Sequence, residues 1–266
     1  MKKISAIIIA RNEREDLPAC LESVKWADEI IVIDNGSTDK TADIAEKFGA
    51  KVYEYKAPAN EGHFGEIREY AAKKASGDYL LYIDADERVT LALKKEIELA
   101  ISLQPSAFSS YAIPRKNILL GKEMHHGGWW PDYVLRLIRK DALLGYEGKL
   151  HEQPKIRGDV GKLVNPLIHI THKNLTEMVE KTNKWSEIEA KLLFESGHPK
   201  MNIIRFCSVA AREFWHRAVV KMGFLDGTVG WIEIIYQVYS RLITYSKLWE
   251  MQIIPKTKNQ NIEHKF

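Results

Sequence analysis

From Ile4 to Ala10 the chain is a nearly unbroken apolar run, and Leu17, Cys20, Leu21 and Val24 then recur at helical spacing, which predicts a buried strand followed by an amphipathic helix. The pattern repeats. Glu29 to Asp34 predicts a second buried strand, Ser37, Thr38 and Asp39 offer caps to a helix whose apolar face includes Ala42, Ala45 and Phe48, and Gly49 stops it. Lys51 to Tyr55 predicts a third strand. After a loop with Pro58, Asn60 and Gly62, a helix near Glu66 to Ala75 ends at Ser76-Gly77, and Tyr79 to Ile83 predicts a fourth strand. Such alternation argues a mostly parallel sheet with helices on both faces. From Pro105 to Arg157 the segments are shorter, more aromatic and richer in glycine, as mixed strands and binding loops require. Beyond Leu175 the pattern is helical, and a polar tail begins at Lys256.

Composition narrows the class. A chain of 266 residues, 45% of them hydrophobic, can bury the core of one large α/β domain and carry an appendage. The net charge of +3 is too small to argue for nucleic acid, and no Lys/Arg-rich run of the kind that grips phosphate backbones is present. Cys20 and Cys207 stand far apart and outside any Cys-x-x-Cys spacing, so two buried thiols in a reducing compartment are expected, without a disulfide framework or a zinc site. Met1-Lys2-Lys3 before an apolar run imitates a secretory signal, but the run is short and leads straight into Arg11-Asn12-Glu13-Arg14-Glu15, so it is read as a strand. No stretch approaches the ~20 apolar residues that cross a bilayer.

The chemistry concentrates at Asp84-Ala85-Asp86, two carboxylates two residues apart directly after Tyr79-Leu80-Leu81-Tyr82-Ile83. Strands of an open α/β sheet deliver their last side chains to the crevice where such sheets bind ligands. Alternate residues of an extended segment point the same way, so both acids can converge on a hard cation, or on a nucleotide with its cation. A solvated helix start is the alternative, because acids favour first helical turns. Asp34 ends another buried strand at the same edge, placed either to accept hydrogen bonds from a base or ribose or to cap the next helix, for which Ser37 and Asp39 are already available. Arg68 lies early in a helix, where a cation is poorly matched to the dipole, so it faces a ligand or pairs with Glu69 or Asp39. Arg11 either approaches base or phosphate or stays on the surface. Adjacent Trp129 and Trp130 beside glycines suit a platform for sugar rings, or plain core packing.

Ile7-Ile8-Ile9-Ala10-Arg11-Asn12-Glu13, Val32-Ile33-Asp34-Asn35-Gly36-Ser37-Thr38-Asp39, Arg68 with Ala71, and Asp84-Ala85-Asp86-Glu87 together resemble the nucleotide-sugar half of inverting family 2 glycosyltransferases of the GT-A fold. Gly128-Trp129-Trp130-Pro131-Asp132, Leu135-Arg136-Leu137 and Gly148-Lys149-Leu150-His151-Glu152 are similar to the bacterial lipopolysaccharide core members that add a β-linked glucose to inner-core sugar. The resemblance implies an α/β GT-A domain over 1–175, with its nucleotide-sugar half at 1–104 and its acceptor and catalytic half at 105–175, then a helical region at 176–255 and a polar tail at 256–266. It implies nucleotide-sugar contacts from Ala10, Arg11, Glu13, Asp34, Arg68, Asp84 and Ala85, with Asp84 toward the ribose. It puts Asp86 and His169, rather than His172, at a Mn2+ or Mg2+ ion. Trp129, Trp130 and His151 fall on the acceptor side, with His151 also able to orient phosphate or metal.

Displacement at the anomeric carbon needs a carboxylate to take the acceptor's proton and positive charge against the departing diphosphate. By resemblance Glu152 is the base, with Asp132 as the alternative, although His151-Glu152 stands where the family more often has Glu-Asp. The implied activity is metal-dependent, inverting transfer of a hexose, glucose by the narrower match, from a uridine-diphosphate sugar to a lipid-linked glycan such as lipopolysaccharide inner core. A sugar-phosphate nucleotidyltransferase would carry a Gly-rich phosphate loop after the first strand, and Ala10-Arg11-Asn12-Glu13 is not one. A non-catalytic nucleotide-sugar binder in a glycan assembly complex is opposed by the intact Asp84, Asp86 and Glu152. Transfer to another surface polysaccharide or lipid carrier stays open.

From Ile203 to Met222 the spacing predicts a basic amphipathic helix with Arg205, Arg212 and His216 on one face. Trp231, Ile235, Val238, Leu242, Tyr245 and Trp249 then form an aromatic stripe. Both features suit a peripheral site on the anionic, cytoplasmic face of the cell membrane. The alternative is a helical pair packed on the transferase domain or on a second copy in a homodimer.

Overall fold

Strand β1 (Ile4–Ala10) sends Ile4, Ala6 and Ile8 into one core and Ile7 into another on the opposite sheet face. With both faces covered, its sequence reads as a continuous apolar run rather than an alternating one. Strands β2 (Glu29–Asp34) and β4 (Tyr79–Asp84) behave alike, with Val32, Tyr79, Leu81 and Ile83 on the first core and Ile31, Ile33, Leu80 and Tyr82 on the second. The first core is covered by α1 (Leu17–Val24) and α4 (Leu91–Ser102), and the second by α3 (Phe64–Lys74) through Ile67, Ala71 and Ala72. Helix α2 (Thr41–Lys47) adds Ala45 to the first core and ends at Phe48 and Gly49, whose φ of +79° is left-handed. This computed structural model describes residues 2–56, 64–102, 108–147 and 153–254.

The sheet is parallel on one side and antiparallel on the other. Strand β1 pairs in parallel with β2 and β4, and β2 with β3 (Lys51–Glu54). Next to β4 comes antiparallel β8 (Asp132–Arg139), then β6 (Ser110–Leu119), β12 (Leu167–Thr171) and β5 (Glu87–Val89), in the order β3-β2-β1-β4-β8-β6-β12-β5. Strand β11 (Val160–Lys162) lies beside β6, and β9 (Leu143–Glu147) with β10 (Gln153–Ile156) forms a separate ribbon. The aromatic, glycine-rich stretch thus supplies the antiparallel strands.

At the amino end of the parallel strands a buried charge ties three segments together. Glu29 accepts from Ser5 Oγ (2.6 Å), Ser76 N (2.8 Å) and Lys51 Nζ (2.7 Å). Burial alone would raise its pKa, but these donors outweigh it and hold the carboxyl at about 2, below the ordinary 4.5. Gly77 donates its N–H to Ser5 Oγ (2.9 Å), and a Cβ there would stand 2.8 Å from Ser5 N.

The chain divides into two units, residues 1–118 with 131–171, and residues 119–130 with 172–266. In the second unit α7 (Gly227–Ile253) packs against α5 (Leu175–Glu195) and α6 (Ile203–Trp215). Asn174 and Asn202 cap α5 and α6 by accepting from Glu177 N (2.9 Å) and Arg205 N (3.0 Å). The buried face of α7 carries Gly230, Glu233, Ile234, Thr244 and Leu248, while Trp231, Ile235 and Trp249 of the expected stripe are exposed. Val238, Leu242 and Tyr245 of the stripe are half-buried, Tyr245 against Ala190, Met201 and Leu248. Polar members of the helix are satisfied internally: Thr244 Oγ1 donates to Glu189 Oε2 (3.2 Å), and Gln237 Nε2 to Glu233 Oε1 (2.6 Å).

The helix expected from Ile203 to Met222 is α-helical to Trp215 and runs on as a π turn (His216–Val220), two residues short of the expected end. A left-handed Met222 and a 3-10 turn (Gly223–Asp226) follow. Strand β7 (Lys122–Glu123) and the chain through Trp130 are held by Asp226, whose carboxylate accepts from His126 N (2.8 Å) and His125 N (3.1 Å) and whose carbonyl accepts from Lys122 Nζ. Gly127 N also donates to Lys221 O (2.8 Å). Cys20 is buried as expected, whereas Cys207 is exposed on an outward face of α6. Among the described residues no helix is long and apolar enough to cross a membrane.

Candidate active site

Strand register brings three chemistry-bearing positions to one edge. Ala10 stands opposite Asp34 and Ile9 opposite Asp84, so Ala10, Asp34 and Asp84 close three neighbouring parallel strands. The chain runs outward from β1 to β3 and then resumes on β1's other side at β4, and such reversals are where open α/β sheets bind ligands.

The loops after β1 and β2 are stitched to each other. Asn12, left-handed at φ +57°, donates its N–H to Ser37 Oγ (3.0 Å) and accepts from Thr38 N (2.8 Å), while Glu13 N donates to Thr41 Oγ1 (2.8 Å). Buried Asp34 accepts from Ser37 N (3.1 Å) and from the Ser37 hydroxyl. Ser37 is therefore spent on the loop and caps no helix; at the start of α2 it is Asp39 Oδ1 that accepts from Thr41 N (2.9 Å). Arg11 is exposed beside this loop and Glu13 is half-buried.

Arg136, buried on β8, joins Asp84 to Glu87. Its guanidinium donates to both oxygens of Asp84 and to Glu87 Oε1 (2.6 Å), and Glu87 Oε2 accepts from Asp84 N (3.0 Å). Burial pushes the Asp84 pKa up, but the positive charge of Arg136, aided by Arg68 and Arg115, prevails and holds it at about 2. Glu87, with no exposed surface, is pushed up by burial, and the nearby Asp84 charge adds to that. The Asp84 side chain is 42% exposed, so the acid keeps an open face while its cation is sealed beneath it. Ala85 is buried, and its carbonyl accepts from Arg88 Nη1 (2.6 Å). The Arg68 guanidinium lies over the Tyr146 ring (5.9 Å), and Glu69, its suggested ion-pair partner, accepts from Tyr146 N (3.0 Å).

Asp86 meets His169. Strands β12 and β5 pair antiparallel with His169 opposite Glu87, and Ile170 N donates to Asp86 O (2.9 Å). His169 Nε2 thereby comes 3.3 Å from Asp86 Oδ2, while its Nδ1 bonds Asn117 Oδ1 (2.6 Å). An amide oxygen only accepts, so Nδ1 carries the hydrogen, and Nε2 opposes the carboxylate as lone pair against lone pair unless a proton or a cation stands between them. Among the described residues no three His, Cys, Asp or Glu groups surround one point. One imidazole and one carboxylate nonetheless fit a divalent ion that draws its other ligands from phosphates and water, as Mg2+ characteristically does. His172, in the second unit, bonds Glu233 instead (3.4 Å).

Asp132 Oδ2 receives Arg115 Nε (2.8 Å), Arg115 Nη2 (2.7 Å) and Asn117 Nδ2 (3.2 Å). These bonds fix the carboxylate through Oδ2 and hold its orientation. His151 and Glu152 lie outside the described residues. Trp129 and Trp130 belong to the second unit, with Trp129 edge-on to His172 (5.7 Å between ring centroids) and Trp130 exposed. Glu87, Arg115, Asn117 and Arg136 carry no site role in the sequence reading. Only Arg136, a charge between Leu135 and Leu137, carries a local signal, because burial of such a group is tolerated only with a partner.

Residues 5–148 match the family model Glycosyl transferase family 2. The chain belongs to this family. The transferase is 29% identical over 280 residues to an uncharacterized glycosyltransferase of Rickettsia bellii, an alignment spanning 100% of this chain and 93% of the relative. It is 26% identical to the lipopolysaccharide core biosynthesis glycosyltransferase LpsC of Rhizobium meliloti, over 96% of this chain and 95% of that one. Among solved structures it is similar to S. aureus TarS 1-349 in complex with UDP-GlcNAc, with a TM-score of 0.48 and 15% identity over 93% of this chain and 90% of that one. Family membership, with parallel β3-β2-β1-β4 continued by antiparallel β8, gives the transferase the GT-A fold expected of its motifs.

Proposed function

We propose that this transferase is a metal-dependent, inverting hexosyltransferase that moves a hexose, glucose in the first instance, from a uridine-diphosphate sugar to a lipid-linked glycan such as lipopolysaccharide inner core. The observation that carries the reading is the meeting of Asp86 with His169 beside Asp84, at the edge where Ala10 and Asp34 also end their strands. The likeness to LpsC along nearly the whole of both chains supports the acceptor class. The work is proposed to run at the cytoplasmic face of the cell membrane.

In this reading Ala10, Arg11, Glu13 and Asp34 hold the base and ribose from the ends of β1 and β2. Asp84 and Ala85 reach the ribose from β4, with Arg136 fixing the Asp84 carboxylate in its ionised form. Arg68 adds positive charge for the diphosphate. Asp86 and His169 would hold Mn2+ or Mg2+, which supplies Lewis-acid stabilisation of the leaving diphosphate. Glu152 takes the proton of the attacking acceptor hydroxyl. Asp132, held by Arg115 and Asn117, keeps the strands around His169 in register, and Trp129, Trp130 and His151 serve the acceptor.

A thermal-shift scan of nucleotide sugars with and without Mn2+ tests the reading, because a ligand selective for the native state at a hundred times its Kd adds about 2.7 kcal/mol. The expected result is a rise with a uridine-diphosphate hexose that requires Mn2+ and is lost in Asp86→Ala. No nucleotide-dependent rise overturns the reading. A metal-dependent rise without donor hydrolysis or transfer makes the chain a non-catalytic binder.

A further inference from the structure

We propose that α6 and the turn after it form a docking face that lies in the surface of an anionic bilayer. Helix α6 is turned inside out relative to an ordinary surface helix. Val209 is its buried residue, with Phe206, Ala210 and Glu213 half-buried, so a narrow stripe faces the unit. At about 100° per residue, Ile203, Ile204, Cys207, Ala211, Phe214 and Trp215 then fall on one outward arc of about 120°. Ile203 is 73%, Ile204 76% and Trp215 61% exposed. Soluble surface helices put charged residues on that side.

The turn adds further exposed apolar side chains. Val219, Val220, Met222, Phe224 and Leu225 are all exposed, whereas Ala218, Gly223 and Asp226 between them are buried. The buried residues fix the turn through Asp226 and its bonds to His125 and His126, which makes the exposed side chains a held feature of the fold. Exposed apolar side chains concentrated in one stretch of chain in this way mark an interaction site.

Charge identifies the occupant. Arg205, Ser208, Arg212 and His216 border the apolar arc of α6 on one side, and Lys221 lies in the turn, all exposed. Between 200 and 225 the acidic residues reduce to Glu213, which is mostly buried and neutralised by Arg217 (2.9 Å) and Arg241 (3.9 Å). A symmetric second copy seated here would set these cations against their own copies. The polar tail beginning Lys256-Thr257-Lys258-Asn259 matches neither the charge nor the apolar surface. An apolar arc flanked by cations, on a helix too short to span, suits the interface of a bilayer carrying anionic headgroups. The inference rests on the lipid-linked acceptor for its purpose, while its geometry stands on the second unit alone.

Co-sedimentation of the full chain with phosphatidylcholine vesicles, with and without phosphatidylglycerol, tests it. Binding is expected to require phosphatidylglycerol and to weaken with salt. Ile204→Ser and Trp215→Ser, at exposed positions, are each expected to lower partitioning at least about tenfold without changing the melting temperature or nucleotide binding. Arg205→Glu with Arg212→Glu should remove the salt dependence. Should a variant fold poorly, quenching of tryptophan fluorescence by brominated lipid reads insertion in the unaltered protein. A protein that stays in the supernatant with anionic vesicles at low salt, variants that bind like the parent, or a dimer that Trp215→Ser dissolves without vesicle binding overturns the proposal. Vesicle binding without transfer to a lipid-linked glycan removes the proposed acceptor and leaves the docking face standing; transfer from the supernatant does the reverse.

Discussion

At Arg136 one cation settles two acids. Glu87 has no exposed surface and Asp84 stands half out of the fold, so removing the guanidinium strands the first and releases the second. Arg136→Met is expected to cost about 3–5 kcal/mol, the range for breaking a buried ion pair from one side, and Glu87→Gln on top of it should recover part of the loss. Urea denaturation measures both; a single variant within about 1 kcal/mol of the parent would mean that Arg115, 3.8 Å from Glu87, neutralises it alone. The choice of base is also settled at single residues. Glu152→Gln keeps shape and loses basicity, so transfer should fall about a hundredfold or more while calorimetric donor binding holds. Asp132→Asn, which leaves Arg115 facing an amide, is expected to act on stability first, because its carboxylate already serves Arg115 and Asn117. If Asp132→Asn instead stops turnover at full stability and Glu152→Gln does not, the assignments exchange.

At the scale of elements, the buried charge at the amino end of the sheet makes a prediction in pH. The Glu29 carboxyl sits at about 2 in the fold against an ordinary 4.5, so its contribution is complete above about 4.5 and fades as pH falls toward 2. Glu29→Gln turns an amide against Lys51 Nζ and should lower stability at neutral pH by about 2 kcal/mol. Its melting temperature should also fall less steeply than the parent's between pH 4.5 and 2. Parallel curves for parent and variant would place the acid sensitivity elsewhere. Strands β1, β2 and β4 were legible in the sequence because strands covered on both faces read as near-continuous apolar runs, with polar residues such as Glu29, Asp34 and Asp84 at their ends. The acid pair was legible because a strand end fixes where its side chains go. The partners of that pair were not. Arg136 reaches Asp84, and His169 reaches Asp86, through antiparallel strand pairing over more than fifty residues of chain, which no local period encodes. On α7 the apolar stripe did not disclose the buried polar positions Glu233 and Thr244, since polar groups that find internal partners can be buried as well as apolar ones.

Across the whole molecule, the carboxyl-terminal helices share a unit with residues 119–130. Residues 119–130 connect β6 to β8 and group with the carboxyl-terminal helices, where Asp226 accepts from His125 and His126 N–H groups and Lys122 donates to its carbonyl. Asp226 is 3% exposed; burial raises its pKa, but the bonds from His126 and His125 prevail and hold it low. Ending the chain at residue 175 therefore removes the acceptors that Lys122, His125 and His126 use, at about 0.5–1.5 kcal/mol for each hydrogen bond lost. The shortened protein is expected to bind a hydrophobic dye, to melt without cooperativity and to lose nucleotide binding, although the motif acids Asp84 and Asp86 remain in it. Asp226→Asn in the full chain separates this cause from general truncation damage. Its amide keeps the shape but turns a donor toward the His125 and His126 N–H groups, so a cooperative melt a few degrees lower is expected, with nucleotide binding retained at saturation. A protein of residues 1–175 that melts cooperatively near the full chain's temperature would show that 119–130 folds without its partners.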